Sequence, residues 1–588
     1  MIGIPPLFKH LCDGTLEQLS ATPAFKRVVD AKPHTPVYTM HKYFARRPWN
    51  VFREIISYYT KAGEIVLDPF SGGGVTVVEA LKLGRKVIGV DVNPLATYVT
   101  RMEVQPVDLE VLQQAFNGVK RNVKRQIMSM YRTTCSKCGS EAVADWLEWE
   151  EPQIQILRLK YECPVCGYSG EKKPTPADKE LARRIAEGFD STVEREHLSF
   201  PRNPIPPGDK TASLFSQNLN NFADLFTKRN LLALAILRKE IDSLGETCGD
   251  FLRFVFSSSL KWASRQSHLR GDIVEGWALH AYWIYPKSLE INVWNTFERR
   301  WQAVKRGKRY SNRVIEECRF GETFEDLRTR ATCLILTRTS ADLPLPDDSV
   351  DTIVTDPPYG GNVNYGELSD FWTIWFSDGK LIDKKEEVLV NRTQAKKVED
   401  YENMLASVFK ECYRVLKDGR YLVSTFNSRD LRIVASYVVA ASKAGFQLHP
   451  DGLLYQKPIR AYTTTFHAMQ IGAFVGDFVF TFVKAKEEPR ITLVSDELGR
   501  INHYVENLVN EEVGGGIAEP QVREKAYRVL IPFLAKYACS DIEACRSAVA
   551  FFEGQMKRQD EHFKRVRAKI TSERRRSYLS RKPKRGSN

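Results

Sequence analysis

The sequence predicts an α/β fold built on a mainly parallel sheet and interrupted by a long insertion. Three observations carry this. Residues 64–94, EIVLDPFSGGGVTVVEALKLGRKVIGVDVNP, read as strand, glycine loop, helix and strand. Residues 350–361, VDTIVTDPPYGG, read as an apolar strand halted by two prolines, which fix φ and remove two backbone donors. Asp68 and Asp356, which end the two strands, are 288 positions apart (356 − 68), far more than one crossover needs.

Length and composition agree. At 588 residues the chain is too long for one ordinary domain, so two to four are expected. Hydrophobic residues make up 43% and charged residues 27%, which suits a globular chain and excludes a disordered or fibrous one. No run of 18 apolar residues is present, so no membrane span is expected. The start, MIGIPPLFKHLCDG, lacks the pattern of a secretory leader, so a cytoplasmic location is expected. The net charge is +13, much of it in residues 555–588, which suits a polyanionic partner.

The elements follow in order. HKYFARRPWNVFREIISYY, residues 41–59, contains an amphipathic helix starting after Pro48. Glu64 to Asp68 is a short buried strand. Ser71-Gly72-Gly73-Gly74 is a loop whose glycines let a ligand approach the backbone closely. VTVVEALKLG is the following helix, with Gly84 at its end. KVIGVD is the second strand. It ends in Asp91, 23 positions after Asp68, where an acid can accept hydrogen bonds from two ribose hydroxyls. The unit is Rossmann-like. The loop has neither the GxGxxG spacing of NAD binders nor the GK[ST] of phosphate-binding loops.

The insertion carries Cys135-Ser-Lys-Cys138 and Cys163-Pro-Val-Cys166, two CxxC pairs separated by 24 residues and each followed by glycine. The segment between them alternates in character, as in a ribbon of strands. Four thiolates bind Zn²⁺ tetrahedrally and leave no open position, so the expectation is a structural zinc ribbon at about 130–172. Residues 215–312 read as helical and mix basic with aromatic side chains. That composition suits either nucleic-acid contact or a core helical subdomain.

TCLILT (332–337) reads as strand three, and Asp342 and Ser340 lie in the loop after it. YENMLASVFKECYRVLKDGRYLVSTF (401–426) reads as a helix, a turn and strand five. GFQLHPDGLLYQ and DFVFTFVKA read as closing antiparallel strands. RAYTTTFHAMQIG, between them, is long enough to shape a substrate pocket. The expected boundaries are 1–105 and 313–490 for the halves of the sheet domain, 106–312 for the insertion and 491–588 for a basic helical extension.

The loop DPFSGGGVT resembles the cofactor loop of S-adenosylmethionine-dependent DNA amino-methyltransferases, and Asp356-Pro357-Pro358-Tyr359 is similar to their second signature. With the cysteine pairs, the whole resembles the adenine-specific DNA methylases that contain a zinc ribbon. The resemblance implies a seven-stranded methyltransferase sheet. It implies S-adenosyl-L-methionine held by Asp68, Phe70, Ser71, Gly72, Gly74 and Asp91. Tyr43 and Phe44, in a segment that resembles the one packed beside the methionine, join that set; Arg46, Arg47 and Trp49 are further candidates there. Asp342 takes the cofactor's adenine. Asp356 and the Pro357 carbonyl accept the N–H bonds of an exocyclic amine, Pro358 stiffens the turn, and Tyr359 stacks on a flipped base.

Aspartate at the first motif position favours adenine N6, and cytosine N4 stays open. So do a tRNA guanine-N2 methyltransferase, some of which carry Asp-Pro-Pro-Tyr-Gly, and a non-catalytic DNA-binding subunit. The implied setting is host-DNA modification in restriction or phage defence, with DNA as partner, any restriction or defence subunit on another chain, and a nucleoid-associated location.

Overall fold

The computed structural model describes residues 23–153, 155–377, 379–428, 430–456, 476–485, 496–538, 541–566, 568, 569 and 572. The amino-terminal stretch, the RAYTTTFHAMQIG segment and most of the basic tail lie outside them.

The chain opens with a 3₁₀ turn at Pro36–Thr39 and a helix at Trp49–Tyr59, which starts after Pro48 as the sequence predicts. Strand β1 (Ile65–Asp68) follows, then the helix Val75–Lys82 and β2 (Lys86–Asp91). The Val75–Lys82 helix is capped by Gly74 at φ +75°, where an added Cβ would sit 2.7 Å from the Thr100 hydroxyl oxygen. Only glycine satisfies both the left-handed backbone and that close approach.

Between helix Pro94–Val104 and residue 320 the chain builds a second body. A long helix, Leu109–Ser129, leads to β3 (Arg132–Thr134), β4 (Glu141–Glu150), β5 (Gln155–Glu162) and β6 (Ser169–Lys172). Helices Lys228–Asp242 and Glu246–Ala263 come next, then the small hairpin β7 (His268–Arg270) and β8 (Ile273–Glu275). Strand β9 (Lys287–Ile291) returns to pair antiparallel with β4 and feeds helix Val293–Val314. The stretch 215–312 is thus not purely helical. Of its tryptophans, Trp277, Trp294 and Trp301 are core residues, with Phe116 stacked on Trp301 at 4.7 Å, whereas Trp283 is 40% exposed.

This body braces the segment before the first strand. Arg300 Nη2 donates to the Thr39 and Met40 carbonyls, each at 2.7 Å. Lys308 is fully buried, and its Nζ donates to the Met102 and Glu103 carbonyls at 3.1 Å.

The chain then returns to the first sheet through β10 (Phe320–Gly321), β11 (Cys333–Thr337), β12 (Val350–Thr355), β13 (Leu416–Phe426), β14 (Gln447–Gln456) and β15 (Asp477–Val483). The order is β10-β11-β2-β1-β12-β13-β15-β14, parallel from β10 to β13, with β15 antiparallel to both its neighbours. Eight strands pair where seven were expected. The two-residue β10 lies alongside β11 just before Thr323 caps helix Phe324–Thr329. The run expected to turn at Lys-Asp-Gly is instead continuous in β13, with a register shift against β12 between Val350 and Thr352.

β12 is buried throughout, which matches its unbroken apolar run. Strand order reverses between β1 and β12, and ligands of open α/β sheets bind at such a switch point, at the carboxyl ends. Three further helices follow: Glu519–Tyr537 and Ile542–Arg558 pack on helix Leu431–Lys443, Glu497–Gly514 packs on those two, and all share one hydrophobic core with β12 and β13. Among the described residues, no helix is long and apolar enough to cross a membrane.

Candidate functional site

β1, β2 and β12 all deliver an aspartate to the same edge of the sheet. Asp68 and Asp91 end their strands and Asp356 follows β12 directly, and all three line one cleft. The cleft is open to solvent at its mouth, and its empty space, that solvent included, is about 950 Å³.

The glycine loop is the floor. Asp91 Oδ2 accepts the Gly72 N–H at 2.8 Å and Oδ1 the Asn93 N–H at 2.9 Å. Asp68 Oδ1 accepts the Phe70 N–H at 3.1 Å and the Thr355 hydroxyl at 2.7 Å. Burial pushes each carboxyl up to about 6, against the hydrogen bonds that favour its charged form. Phe70, Ser71 and Gly72 line the cleft, and Gly74 caps the helix behind it. Tyr43 and Phe44 also line the cleft, with the Tyr43 ring close against Gly72. The Tyr43 ring stacks on Tyr365 at 5.8 Å, and Phe44 sits edge-on to Trp277 and Trp372. The loop after β11 enters through Thr339 and Ser340, whose hydroxyl donates to the Pro69 carbonyl at 2.7 Å. Asp342 does not join them. Its side chain is 77% exposed and pairs with Arg338, four residues back in the same loop.

The Asp-Pro-Pro-Tyr turn forms the other end. Asp356 accepts from Arg47 Nε at 2.7 Å and from the Thr425 and Tyr359 hydroxyls. Burial holds its carboxyl up at about 6, while Arg47 and the Thr425 bond pull it down. Pro358 lines the cleft, and its carbonyl accepts the Tyr401 hydroxyl at 2.7 Å; Pro357 links it to Asp356. Tyr359 packs edge-on against Phe426 at 4.9 Å.

Arg47 fills the space in front of this turn. Its guanidinium lies 4.8 Å from the Tyr359 ring centre, bonds to the Tyr359 hydroxyl, and reaches both oxygens of Asp477 at 3.1 Å. Arg46 points the other way, into an ion pair of 2.6 Å with buried Glu103. Trp49 lies outside the cleft under the Lys82 ammonium. Asp477, Tyr365 and Glu387 are site residues that the sequence did not disclose. Arg47 and Asp477 are separated by 430 positions, and no local pattern marks such a pair.

The four paired cysteines also converge. Their sulfurs all lie within 4.8 Å of one another, with Cys135–Cys166 at 3.7 Å and Cys138–Cys163 at 3.6 Å. Bonds of about 2.3 Å to a central ion give a tetrahedral edge of about 3.8 Å, whereas a disulfide requires about 2.05 Å. The two knuckles repeat one geometry. Gly139 N–H donates to the Cys135 carbonyl and Gly167 N–H to the Cys163 carbonyl, both at 3.0 Å, with φ of +74° and +70°. The cluster could bind a metal ion.

Comparison with known proteins adds the family context. Residues 20–100 and 350–496 match a family model described as DNA methylase, and these segments contain β1, β2 and β12 to β15. The Type II methyltransferase M.MjaII of Methanocaldococcus jannaschii is 21% identical over 387 residues, which cover 61% of this chain and 64% of that protein. The chain therefore spans a little under two thirds of the length of this relative.

Proposed function

We propose that this chain is an S-adenosylmethionine-dependent DNA methyltransferase acting on adenine N6. The observation that carries this is that Asp356, whose carboxylate accepts the Tyr359 hydroxyl, lines the same cleft as a glycine loop answered by Asp91. The donor set fits the cofactor. Asp91 offers a carboxylate for the ribose, Ser71 and Gly72 a close-approach backbone, and Tyr43 with Phe44 an apolar wall. Thr339 and Ser340, rather than the exposed Asp342, stand where a purine edge would be read.

S-adenosylmethionine, when bound, supplies an electrophilic methyl group. The chain's own part is to hold the amine. Asp356, with the Pro357 carbonyl, accepts the amine's N–H bonds and so keeps electron density on nitrogen and its lone pair aimed into the cleft. Tyr359 takes the face of a base that has left the helix. Positioning of this kind supplies much of the rate. Arg47 stands where that base would enter, so it must give up Asp356 first and can stay with Asp477. The four cysteines would hold a structural Zn²⁺ with no open position. The relative's name, a Type II methyltransferase, favours a role in host-DNA modification alongside a separate restriction or defence partner.

The test is transfer of labelled methyl to duplex DNA, single-stranded DNA and tRNA, followed by identification of the modified base. N6-methyladenine in DNA is expected. N4-methylcytosine would correct the base, transfer to tRNA alone would overturn the substrate, and no transfer with cofactor bound would overturn the activity. Asp356→Ala should cut transfer by about 10²- to 10⁴-fold and leave cofactor affinity intact.

A further inference from the structure

The cleft is lined by more carboxylates than guanidinium groups. Asp68, Asp91, Asp356, Asp383, Glu386 and Glu387 face two arginines. Arg47 is engaged with Asp356 and Asp477, and Arg46 with Glu103. Most of the acids have a task in the fold or a path to solvent. Glu387 is different.

Glu387 is only 8% exposed. Its Oε1 accepts the Gly366 N–H at 2.9 Å. Its Oε2 is shut off from solvent and has no hydrogen-bond partner among the described residues. A buried carboxylate oxygen left unpaired is costly, so it calls for a partner that completes it, whether an ordered water, an ion or a ligand. Burial raises this carboxyl to about 7, against the Gly366 bond and the more distant Lys396.

Its place in the cleft narrows the ligand. A Cβ added to Gly366 would meet Glu387 Oε2 at 3.0 Å, so the carboxylate lies against the start of helix Tyr365–Thr373. Tyr365 stacks on Tyr43, and a Cβ added to Gly72 would meet the Tyr43 ring at 3.2 Å. The charge of Glu387 acts on both tyrosines. Glu387 therefore lies beside the Tyr43–Tyr365 pair that abuts the glycine loop, while Arg47 and Asp477 engage each other and Arg47 engages Asp356.

We propose that Glu387 binds the α-ammonium group of the methionine moiety of S-adenosylmethionine through Oε2; this rests on the cofactor reading above. An ammonium brings a positive charge and three donors, which is what an enclosed carboxylate with one unused oxygen lacks.

The test is calorimetric binding of S-adenosylmethionine and of 5′-methylthioadenosine, which lacks the amino-acid portion, to the full chain and to Glu387→Gln. The glutamine keeps the shape and an oxygen for the Gly366 N–H. S-adenosylmethionine should bind about 10- to 100-fold more weakly to the variant and methylthioadenosine equally well. Equal losses for both ligands, or none, overturn the assignment. A wild-type chain that binds neither ligand overturns the cofactor reading itself. A variant that does not fold is bypassed by measuring S-adenosylhomocysteine and its deaminated analogue on the wild type. Equal affinity for those two refutes the ammonium contact.

Discussion

In the proposed reaction Asp356 acts as a carboxylate, and the chain holds it near the limit. Burial raises it to about 6, and the nearby Arg47 guanidinium is the largest influence pulling it back. The active form is deprotonated, so kcat/KM for methyl transfer should fall as pH drops through about 6. Removing a cation favours the protonated form. Arg47→Ala should therefore move the acid limb to higher pH, by about one unit or more, and the pH–rate profile of the two proteins checks it. An unmoved limb would mean that Arg47 does not set the charge of Asp356. This site was half legible in the sequence. Asp68, Asp91 and Asp356 each end an apolar run, and a strand end is visible locally. Asp477 and Glu387 reach the site through the tertiary fold, and Arg47 in HKYFARRPW carries no sign of which acid it will meet. Asp342 shows the converse: an acid in the right loop, turned to solvent by a local pair with Arg338.

At the scale of elements, the insertion is part of the site's scaffold. β4 pairs with β3 and β5 near the cysteines and with β9 at its far end. β9 leads into helix Val293–Val314, whose Arg300 and Lys308 hold residues 39–40 and the end of helix Pro94–Val104. Loss of the metal should therefore be felt beyond the knuckles. Cys135→Ser should lower bound zinc from about one per chain and introduce a separate, earlier melting transition. Metal analysis with calorimetry reads both, and a zinc-free wild-type protein would refute the ribbon as a metal site. The sequence showed the β4–β5 hairpin because alternation and CxxC spacing are local signals. It hid β9, which is too far along the chain for any periodicity to link to β4, and β10, which is too short to have one.

At the scale of the whole molecule, the proposed chemistry and the excess positive charge fall in different parts of the chain. The cleft is rich in acids, yet the net charge is +13, so the charge that would attract a polyanion lies elsewhere. Residues 573–588, ERRRSYLSRKPKRGSN, carry seven basic residues and one acid. The helices before them, Glu497–Gly514, Glu519–Tyr537 and Ile542–Arg558, share the core of β12 and β13. It is these helices, which precede the tail in the chain, that pack with the half of the sheet carrying Asp356. A phosphate contact made by such a segment is independent of sequence and weakens with salt. A chain ending at residue 572 should bind duplex DNA more weakly at low salt. Its plot of log K against log salt should be shallower by about 0.9 for each phosphate that the tail neutralises in the full chain. Its affinity for S-adenosylmethionine should be unchanged, because the cleft is formed by residues 43 to 408. An unaltered salt slope would assign the DNA-binding charge to the folded body, where the exposed Trp283 and the basic helix Val293–Val314 would be the next place to look.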